Sequence, residues 1–317
     1  MTSYLIRRLL QAIIVVLGVT VVAFILQNLI ATGPSLAKAI IGPRATAAQI
    51  RAFVATYGLN RPLPVQYWSF LWQVLHGNLG YSFKQNQSVD SILGQQLPKD
   101  ILLVGSSLVL SLLIAIPLGI AQAVRRNRLA DHVGTGVSLL LYSMPTYWLS
   151  LLLIAAFAVS LHMLPAEAPQ GVTVTQILAQ PQGLVLPVLS LTLVSYALFS
   201  RYMRSAAIEN LAQDYIRTAH AKGLPRRLVH RRHLLRNSLI PVITMVGLSL
   251  PGILTAGLVT EYVFNFPGIG LTFFNAATTD DYPVELGITV LVGLATVAGN
   301  LLADVAYAVL DPRVRYD

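Results

Sequence analysis

Polar side chains that could bind or relay charge lie inside two long apolar stretches of the chain. Glu261 falls near the end of one stretch, and Asn300 and Asp304 lie one helical turn apart in the next. An unpaired Asp at the centre of a membrane helix costs about 2.5–3.5 kcal/mol on insertion scales, so a buried Asp304 requires a partner. These three residues either line a translocation path or form structural hydrogen bonds, and for Asp304 we favour the structural role.

Sequence motifs for catalysis are absent. The chain contains no Gly-Lys pair and so lacks the Gly-x-x-x-x-Gly-Lys-Ser/Thr loop that binds nucleotide phosphates. It has neither a His-Glu-x-x-His nor a Gly-x-Ser-x-Gly motif, and its lack of cysteine excludes disulfides and thiolate metal sites. His230 and His233 are three residues apart, but the surrounding Arg side chains repel cations, so we interpret both as surface residues. We expect no catalytic residue, metal or cofactor on this chain.

A basic segment at residues 204–237 holds eight of the 22 Lys and Arg residues. Its pattern predicts a helix through Ala221, a stop at 223–225 (Gly-Leu-Pro) and a second helix from near Arg226. The short residues Ala219, Ala221 and Gly223 around the turn would let another protein approach closely. A DNA-binding helix-turn-helix is disfavoured because the flanking membrane spans would restrict groove docking. A merely positive loop would leave the paired helices unexplained.

Membrane helices must position these residues. Of the 317 residues, 55% are hydrophobic and 11% charged, and the mean hydropathy is +0.66. This composition argues against soluble, disordered and coiled-coil proteins. Because about 20 apolar residues cross the hydrocarbon core, we predict an all-α integral membrane protein with six transmembrane helices. The predicted spans are residues 9–31, 101–124, 136–161, 184–203, 239–264 and 284–310.

The distribution of charge predicts the orientation. With the N-terminus inside, 16 of the 22 Lys and Arg residues lie on the cytoplasmic side, and the short outer loops at 162–183 and 265–283 contain none. The positive-inside rule therefore puts both termini in the cytoplasm. We therefore attribute the net charge of +9 to the basic cytoplasmic loops of a cell-membrane protein, and no nucleic acid is needed as a partner to explain it.

The long outer connection at residues 32–100 has its own helical patterns. Residues 47–57 place apolar side chains, Tyr57 among them, at helical spacing before a stop at Gly58, and residues 65–75 form a stripe that includes Trp68 and Trp72. The stripe is interpreted either as an interfacial aromatic belt lying on the bilayer or as part of an external subdomain that contacts a partner. The two interpretations are compatible.

Ordered motifs along the whole chain resemble one family of membrane transporters. They are 214–223 (Asp-Tyr-Ile-Arg-Thr-Ala-His-Ala-Lys-Gly), 232–241 (Arg-His-Leu-Leu-Arg-Asn-Ser-Leu-Ile-Pro), 57–67 (Tyr-Gly-Leu-Asn-Arg-Pro-Leu-Pro-Val-Gln-Tyr), 261–270 (Glu-Tyr-Val-Phe-Asn-Phe-Pro-Gly-Ile-Gly) and 310–313 (Leu-Asp-Pro-Arg). The chain resembles a B-type membrane subunit of the dipeptide/oligopeptide permeases of ABC importers. Stretch 214–223 is similar to the EAA motif of permeases: Arg217 and Thr218 stand at its Glu and first Ala positions, and Ala219 and Gly223 match.

The resemblance implies a type I ABC importer permease fold and a division of labour among several chains. A homologous second permease would complete the pore, two cytoplasmic ATPases would bind ATP and Mg, and an external binding protein would deliver the peptide. The implied ATPase-coupling residues are Arg217, Thr218, Ala219, Ala221, Lys222 and Gly223, and the implied contacts to the binding protein are Tyr57, Trp68 and Trp72.

Two alternatives remain open from the sequence. The same family includes importers of nickel chelates, glutathione and haem, so the substrate is less specified than the transport class. An ion-coupled secondary transporter would need more buried carboxylates, and we find no internal inverted repeat.

Overall fold

The computed structural model describes residues 2–30, 33–42 and 44–310, with side chains at residues 10–29, 33–38, 40–42, 44–247 and 257–301. This part of the chain is mainly helical and contains a two-stranded antiparallel hairpin. In chain order the elements are α1 (Thr2–Ile30), α2 (Gly33–Ile41), α3 (Ala47–Thr56), α4 (Leu63–Leu75), β1 (Tyr81–Ser82), β2 (Gln87–Ser88), α5 (Val89–Val124), α6 (Leu129–Ser143), α7 (Thr146–Leu153, continued by a π-helix at Ile154–Ser160), α8 (Val174–Leu178), α9 (Gln182–Leu211), α10 (Asp214–Ala221), α11 (Arg226–Leu228, continued by a π-helix at Val229–Leu234), α12 (Leu235–Phe264), α13 (Ile269–Thr279) and α14 (Tyr282–Leu310).

Helices of spanning length coincide with most of the predicted spans. Within the described residues, α1, α5, α9 and α14 are each long and apolar enough to cross a membrane. Helix α12 covers the predicted range 239–264, although its side chains at 248–256 lie outside the described part. Several helices run past the predicted limits, so the boundaries drawn at residues 100 and 203 fall inside α5 and α9.

The predicted third span, residues 136–161, is divided. Helices α6 and α7 meet at an angle of 106°, so together they form a broken span or a re-entrant segment. Pro145 precedes α7 and has no amide hydrogen to continue the helical bonds of α6. Met144 is extended, with φ −78° and ψ 130°, as expected for a residue that precedes proline.

Helix α9 lies at the centre of the bundle. It packs lengthwise against α5 and also contacts α6 and α12, while α12 packs on α14 and α14 on α1. The largest described core cluster joins three of these elements through fully buried Leu103 of α5, Leu186 of α9 and Phe264 of α12. Packing of these apolar side chains from distant parts of the sequence fixes the mutual positions of the long helices.

The segment before α5 forms a small subdomain at one end of the bundle. Helix α3 begins with a capping box in which the Thr46 amide donates to Gln49 Oε1 at 2.8 Å, and the chain turns after it at Gly58, whose φ is +66°. Helix α4 contacts α1 through the Thr20 and Tyr67 hydroxyls, 3.0 Å apart. The β1–β2 hairpin is held to the α13–α14 connection by the Ser82 hydroxyl, which donates to Asp281.

A buried charged cluster holds the same end of the bundle together. Lys99, Asp100 and Glu261 are 2%, 1% and 0% exposed, and the charge of Lys99 acts on both carboxylates. Lys99 Nζ donates to the Gly171 carbonyl at 3.1 Å, which ties α5 to the connection before α8. Buried polar groups of this kind are tolerated when hydrogen bonds replace those they make in water, and each of the three side chains makes at least one.

Both carboxylates of the cluster bind the first turn of α13. Asp100 Oδ1 accepts a hydrogen bond from the Ile269 amide at 3.0 Å, and Glu261 Oε2 accepts one from the Leu271 amide at 3.0 Å. The first amides of a helix have no partner within the helix and carry a partial positive charge, so acidic groups stabilise them. The cluster therefore joins α5, α12 and α13 at one point.

Gly268 lies between the two carboxylates. A Cβ at this position would overlap both Asp100 Oδ1 and Glu261 Oε2. The backbone of Gly268 is extended, with φ −118° and ψ −175°, which any residue can adopt. The need for glycine here comes from the close approach of the carboxylates.

We predict that Gly268→Ala destabilises the protein. The added methyl would push apart buried charged groups that cannot move into solvent, and overpacking of this kind costs about 1–3 kcal/mol. Thermal unfolding of the purified protein in detergent measures the effect. Gly105→Ala in α5 is the matched control because a Cβ there meets nothing within 4 Å. Equal melting temperatures for the two variants would contradict the prediction.

Candidate functional site

The segment with the EAA-like motif forms a short helix and a sharp turn between α9 and α12. Helix α10 ends at Ala221, and the turn after it includes Gly223 with φ +72° and Pro225 before α11. Glycine reaches this left-handed conformation without the steric cost that a Cβ adds. The predicted stop at 223–225 thus corresponds to the observed turn.

One face of α10 is packed into the protein. Ile216 and Ala219 are buried in a cluster with Ala207 of α9 and with Val229 and Leu234 of the second π-helix. Ala219, which the motif puts among the coupling residues, therefore lies on the inner face and anchors α10 to the bundle. A movement of α10 would be carried directly to α9 and α12 because the cluster includes residues at the junction with both.

The opposite face of α10 and the turn after it are exposed. Arg217, Thr218, Ala221, Lys222 and Gly223 all lie on this surface, which we call the coupling surface. A Cβ at Gly223 would meet nothing within 4 Å, so the turn is open in this chain. Among the described residues Arg217 forms an ion pair with Asp214, at 3.2 Å, and both side chains are mostly exposed, so the pair contributes little stability.

The basic segment around α10 is less uniformly charged than its sequence indicates. Arg204 belongs to α9, where its Nε and a terminal nitrogen donate to the two oxygens of buried Asp131 at 2.6 and 2.8 Å. This bidentate pair joins α9 to the first turn of α6. His230 is half-buried, and burial, followed by the nearby His220 and Arg226, lowers the pKa of its imidazole.

The aromatic residues proposed to contact the binding protein are exposed at the other end of the bundle. Trp68 and Trp72 lie on α4 and are 64% and 57% exposed, and Tyr57 follows α3. Tyr57 packs on Phe53, with ring centroids 4.3 Å apart, and lines a cavity of about 660 Å³ beneath the subdomain. The three residues share one subdomain, which lies far from the coupling surface along the bundle.

Among the described side chains, no hydrogen bond or ion pair joins the polar residues that sequence reasoning selected inside the spans. Glu261 is fully buried in the charged cluster, Asn300 is exposed on α14, and the side chain of Asp304 lies outside the described residues. The sequence reasoning missed Lys99 and Asp100. The sequence does place an adjacent Lys-Asp pair directly before an apolar run, which is a possible sign of buried charge. No residue near the pair in the sequence indicates that Glu261 lies with them in the fold.

The described residues hold no group of three or more His, Asp or Glu side chains that could bind a metal ion. The arrangement provides an exposed turn anchored to two long helices and an aromatic subdomain at the opposite end. These are features of binding surfaces on a membrane protein.

Comparison with protein families gives the same assignment as the motifs. The model for "Binding-protein-dependent transport system inner membrane component" matches residues 115–316, and the model for the N-terminal part of such components matches residues 1–104. Together the two models cover almost the whole chain.

Relatives of known name match the chain over nearly their full length. The chain is 38% identical to a putative peptide permease protein of Brucella ovis, with 99% of each chain covered. It is 36% identical to an oligopeptide transport system permease protein of Bacillus subtilis, with 100% of each covered. It is also 36% identical to a probable D,D-dipeptide transport system permease protein of Escherichia coli, with 98% and 97% covered.

A solved structure has a related fold. A chain from inward-facing conformations of the MetNI methionine ABC transporter aligns with a TM-score of 0.51 and 16% identity, covering 68% of this chain and 96% of that one. At this identity the match supports the helical fold. The chain is thus a multi-pass membrane protein that belongs to the family of binding-protein-dependent transport system inner membrane components, the permease subunits of ABC importers.

Proposed function

We propose that this chain is a pore-forming permease subunit that imports di- and oligopeptides and moves in response to ATPase subunits. The observation that carries the proposal is the coupling surface: an exposed turn at Gly223 on a short helix whose inner face is buried against α9 and α12. The names of the relatives, which are peptide permeases, support the substrate class.

The proposed assembly contains a homologous second permease, two cytoplasmic ATPases and an external binding protein. ATP and Mg bind the ATPases, and this chain carries neither. The side chains of Arg217 and Lys222 are exposed and are suited to acidic groups on the ATPase surface. The small residues Ala221 and Gly223 leave room for a close contact.

The proposed topology has six spans with both termini in the cytoplasm. In this topology the coupling surface and the α5–α6 turn lie on the cytoplasmic side, and α8 with the aromatic subdomain lies outside. The asymmetric distribution of Lys and Arg supports this orientation.

Single cysteines can test the topology because the chain has no native cysteine. Arg125 and Thr175 are exposed at opposite ends of the bundle. We expect a membrane-impermeant maleimide added to intact cells, with the outer layer opened where one is present, to label Thr175→Cys. It should label Arg125→Cys only after the membrane itself is permeabilised. The reverse pattern would overturn the orientation.

Gly223→Asp should separate transport from ATP hydrolysis. The substitution puts a carboxylate into the open turn of the coupling surface, and we expect uptake to fall at least about tenfold, equivalent to about 1.4 kcal/mol, while membrane insertion persists. ATPase co-purification, ATPase rate and peptide uptake should be measured on the same preparations. Wild-type values for all three would contradict the coupling assignment.

Two control variants separate backbone strain from charge. Gly77 also has positive φ, +78°, and open space around its Cβ position, but it follows α4 in the subdomain. Gly77→Asp carries a similar strain and should retain ATPase co-purification. Gly223→Asn tolerates the left-handed backbone as Asp does, so a smaller defect than that of Gly223→Asp would isolate the effect of the charge.

The exposed stripe of α4 should contact the binding protein. A photoreactive residue at Trp68 is expected to crosslink to the binding protein when peptide is present, because this side chain is exposed in the external subdomain. The same residue at Val22, which is exposed on α1, is the control and should yield lipid adducts. Lipid adducts alone from position 68 would favour the membrane-belt interpretation and contradict the contact.

A further inference from the structure

A polar cavity lies between α5, α6 and α9 near the end of the bundle that carries the coupling surface. Its volume is about 460 Å³. Its polar lining includes Gln122, Thr135, Tyr142, Arg201, Tyr202 and Ser205. Polar residues in helices of spanning length seldom face hydrocarbon alone, so this group indicates a ligand or water-filled site.

The cavity carries a net positive charge. Two arginines line it, and the charge of Arg204 is matched by its bidentate pair with Asp131. Arg201 has no carboxylate within ion-pair distance among the residues whose side chains are described. Its guanidinium lies 5.3 Å from the centre of the Tyr142 ring, and this cation–π contact restrains Arg201 without neutralising it.

A buried amide supplies a second polar group. Gln122 of α5 is 7% exposed and lines the cavity. It fits against α6 because Gly134 stands beside it, where a Cβ would overlap the Gln122 amide. The amide of Gln122 can donate a hydrogen bond to an acceptor in the cavity.

The cavity lies towards one end of the helices that line it. Gln122 is two residues from the end of α5, Thr135 is in the second turn of α6, and Ser205 is six residues from the end of α9. Tyr and Arg side chains concentrate at the level of the lipid headgroups.

We propose that this cavity binds the headgroup of an anionic phospholipid. The phosphodiester would accept hydrogen bonds from Arg201 and Gln122, and the acyl chains would extend from the cavity into the surrounding bilayer. A basic pocket between membrane helices is a recognised form of lipid-headgroup site. A peptide in transit fits less well because its ammonium group would find no free carboxylate in the lining: Asp131 is already paired with Arg204. The proposal does not depend on the peptide specificity.

The test is a lipid titration of the purified complex followed by native mass spectrometry. We expect phosphatidylglycerol to bind the wild type more tightly than phosphatidylcholine, and Arg201→Gln to weaken phosphatidylglycerol binding about tenfold, as loss of a charged hydrogen bond predicts. Arg125→Gln is the matched control, since Arg125 is exposed in the α5–α6 turn and does not line the cavity.

Additional measurements separate lipid binding from misfolding, from binding of a free anion and from a role in the transport path. Thermal unfolding without added lipid establishes that Arg201→Gln is folded; if it is not, Tyr142→Phe and Gln122→Leu repeat the titration. Inorganic phosphate in place of lipid tests for a free anion, and displacement of phosphatidylglycerol by phosphate would overturn the lipid assignment. Equal phosphatidylglycerol binding by the wild type and the cavity variants would also overturn it. A changed KM for peptide uptake in cavity variants that still bind phosphatidylglycerol would also overturn the lipid assignment, because it would assign the cavity to the transport path.

Discussion

The charged cluster of Lys99, Asp100 and Glu261 is the constraint on which one end of the molecule depends. Its charges are almost fully buried, and Asp100 Oδ2 and Glu261 Oε1 have no hydrogen-bond partner among the described residues. Separating the helices that contribute these side chains would break their hydrogen bonds to Gly171, Ile269 and Leu271, and each buried polar group left without a partner costs about 1–3 kcal/mol. Helices α5, α12 and α13 are therefore fixed relative to one another, and the β1–β2 hairpin attaches next to them.

Helix α12 connects this fixed end to the coupling surface. It has 30 residues and is about 45 Å long. Its last turn contains Glu261, and its first residues follow the π-helix whose Val229 and Leu234 pack under α10. A displacement of α10 would therefore act on a long helix held firmly at its far end. Tilting or rotation about that end is the movement such an arrangement allows most easily, because the buried charges resist separation there.

Local signals in the sequence were sufficient for the long apolar helices and for the turn after α10, but they predicted neither the division of the third span into α6 and α7 nor the long-range contacts. The stop at Gly223 and Pro225 and the apolar runs of α5, α9 and α14 follow from residue preferences within a few positions. The pairing of Asp100 with the amide of Ile269, and of Asp131 with Arg204, joins residues far apart in the sequence. Ala219 shows the limit of such local signals. Its small side chain indicated a close contact with another protein, whereas in the structure it packs against α9 and the second π-helix of the same chain.

The basic residues on which the proposed orientation rests are not equivalent once the chain is folded. The positive-inside rule counts Arg201 and Arg204 alike, yet Arg204 is neutralised by Asp131 while Arg201 is not. Only unpaired charges can attract a partner, since a bidentate ion pair presents little net field. The sequence count of positive charge therefore overstates what is available for binding at this end of the bundle. The unpaired charge at this end lies at the coupling surface, on the exposed arginines of the α5–α6 turn and of residues 226–236, and in the cavity that contains Arg201.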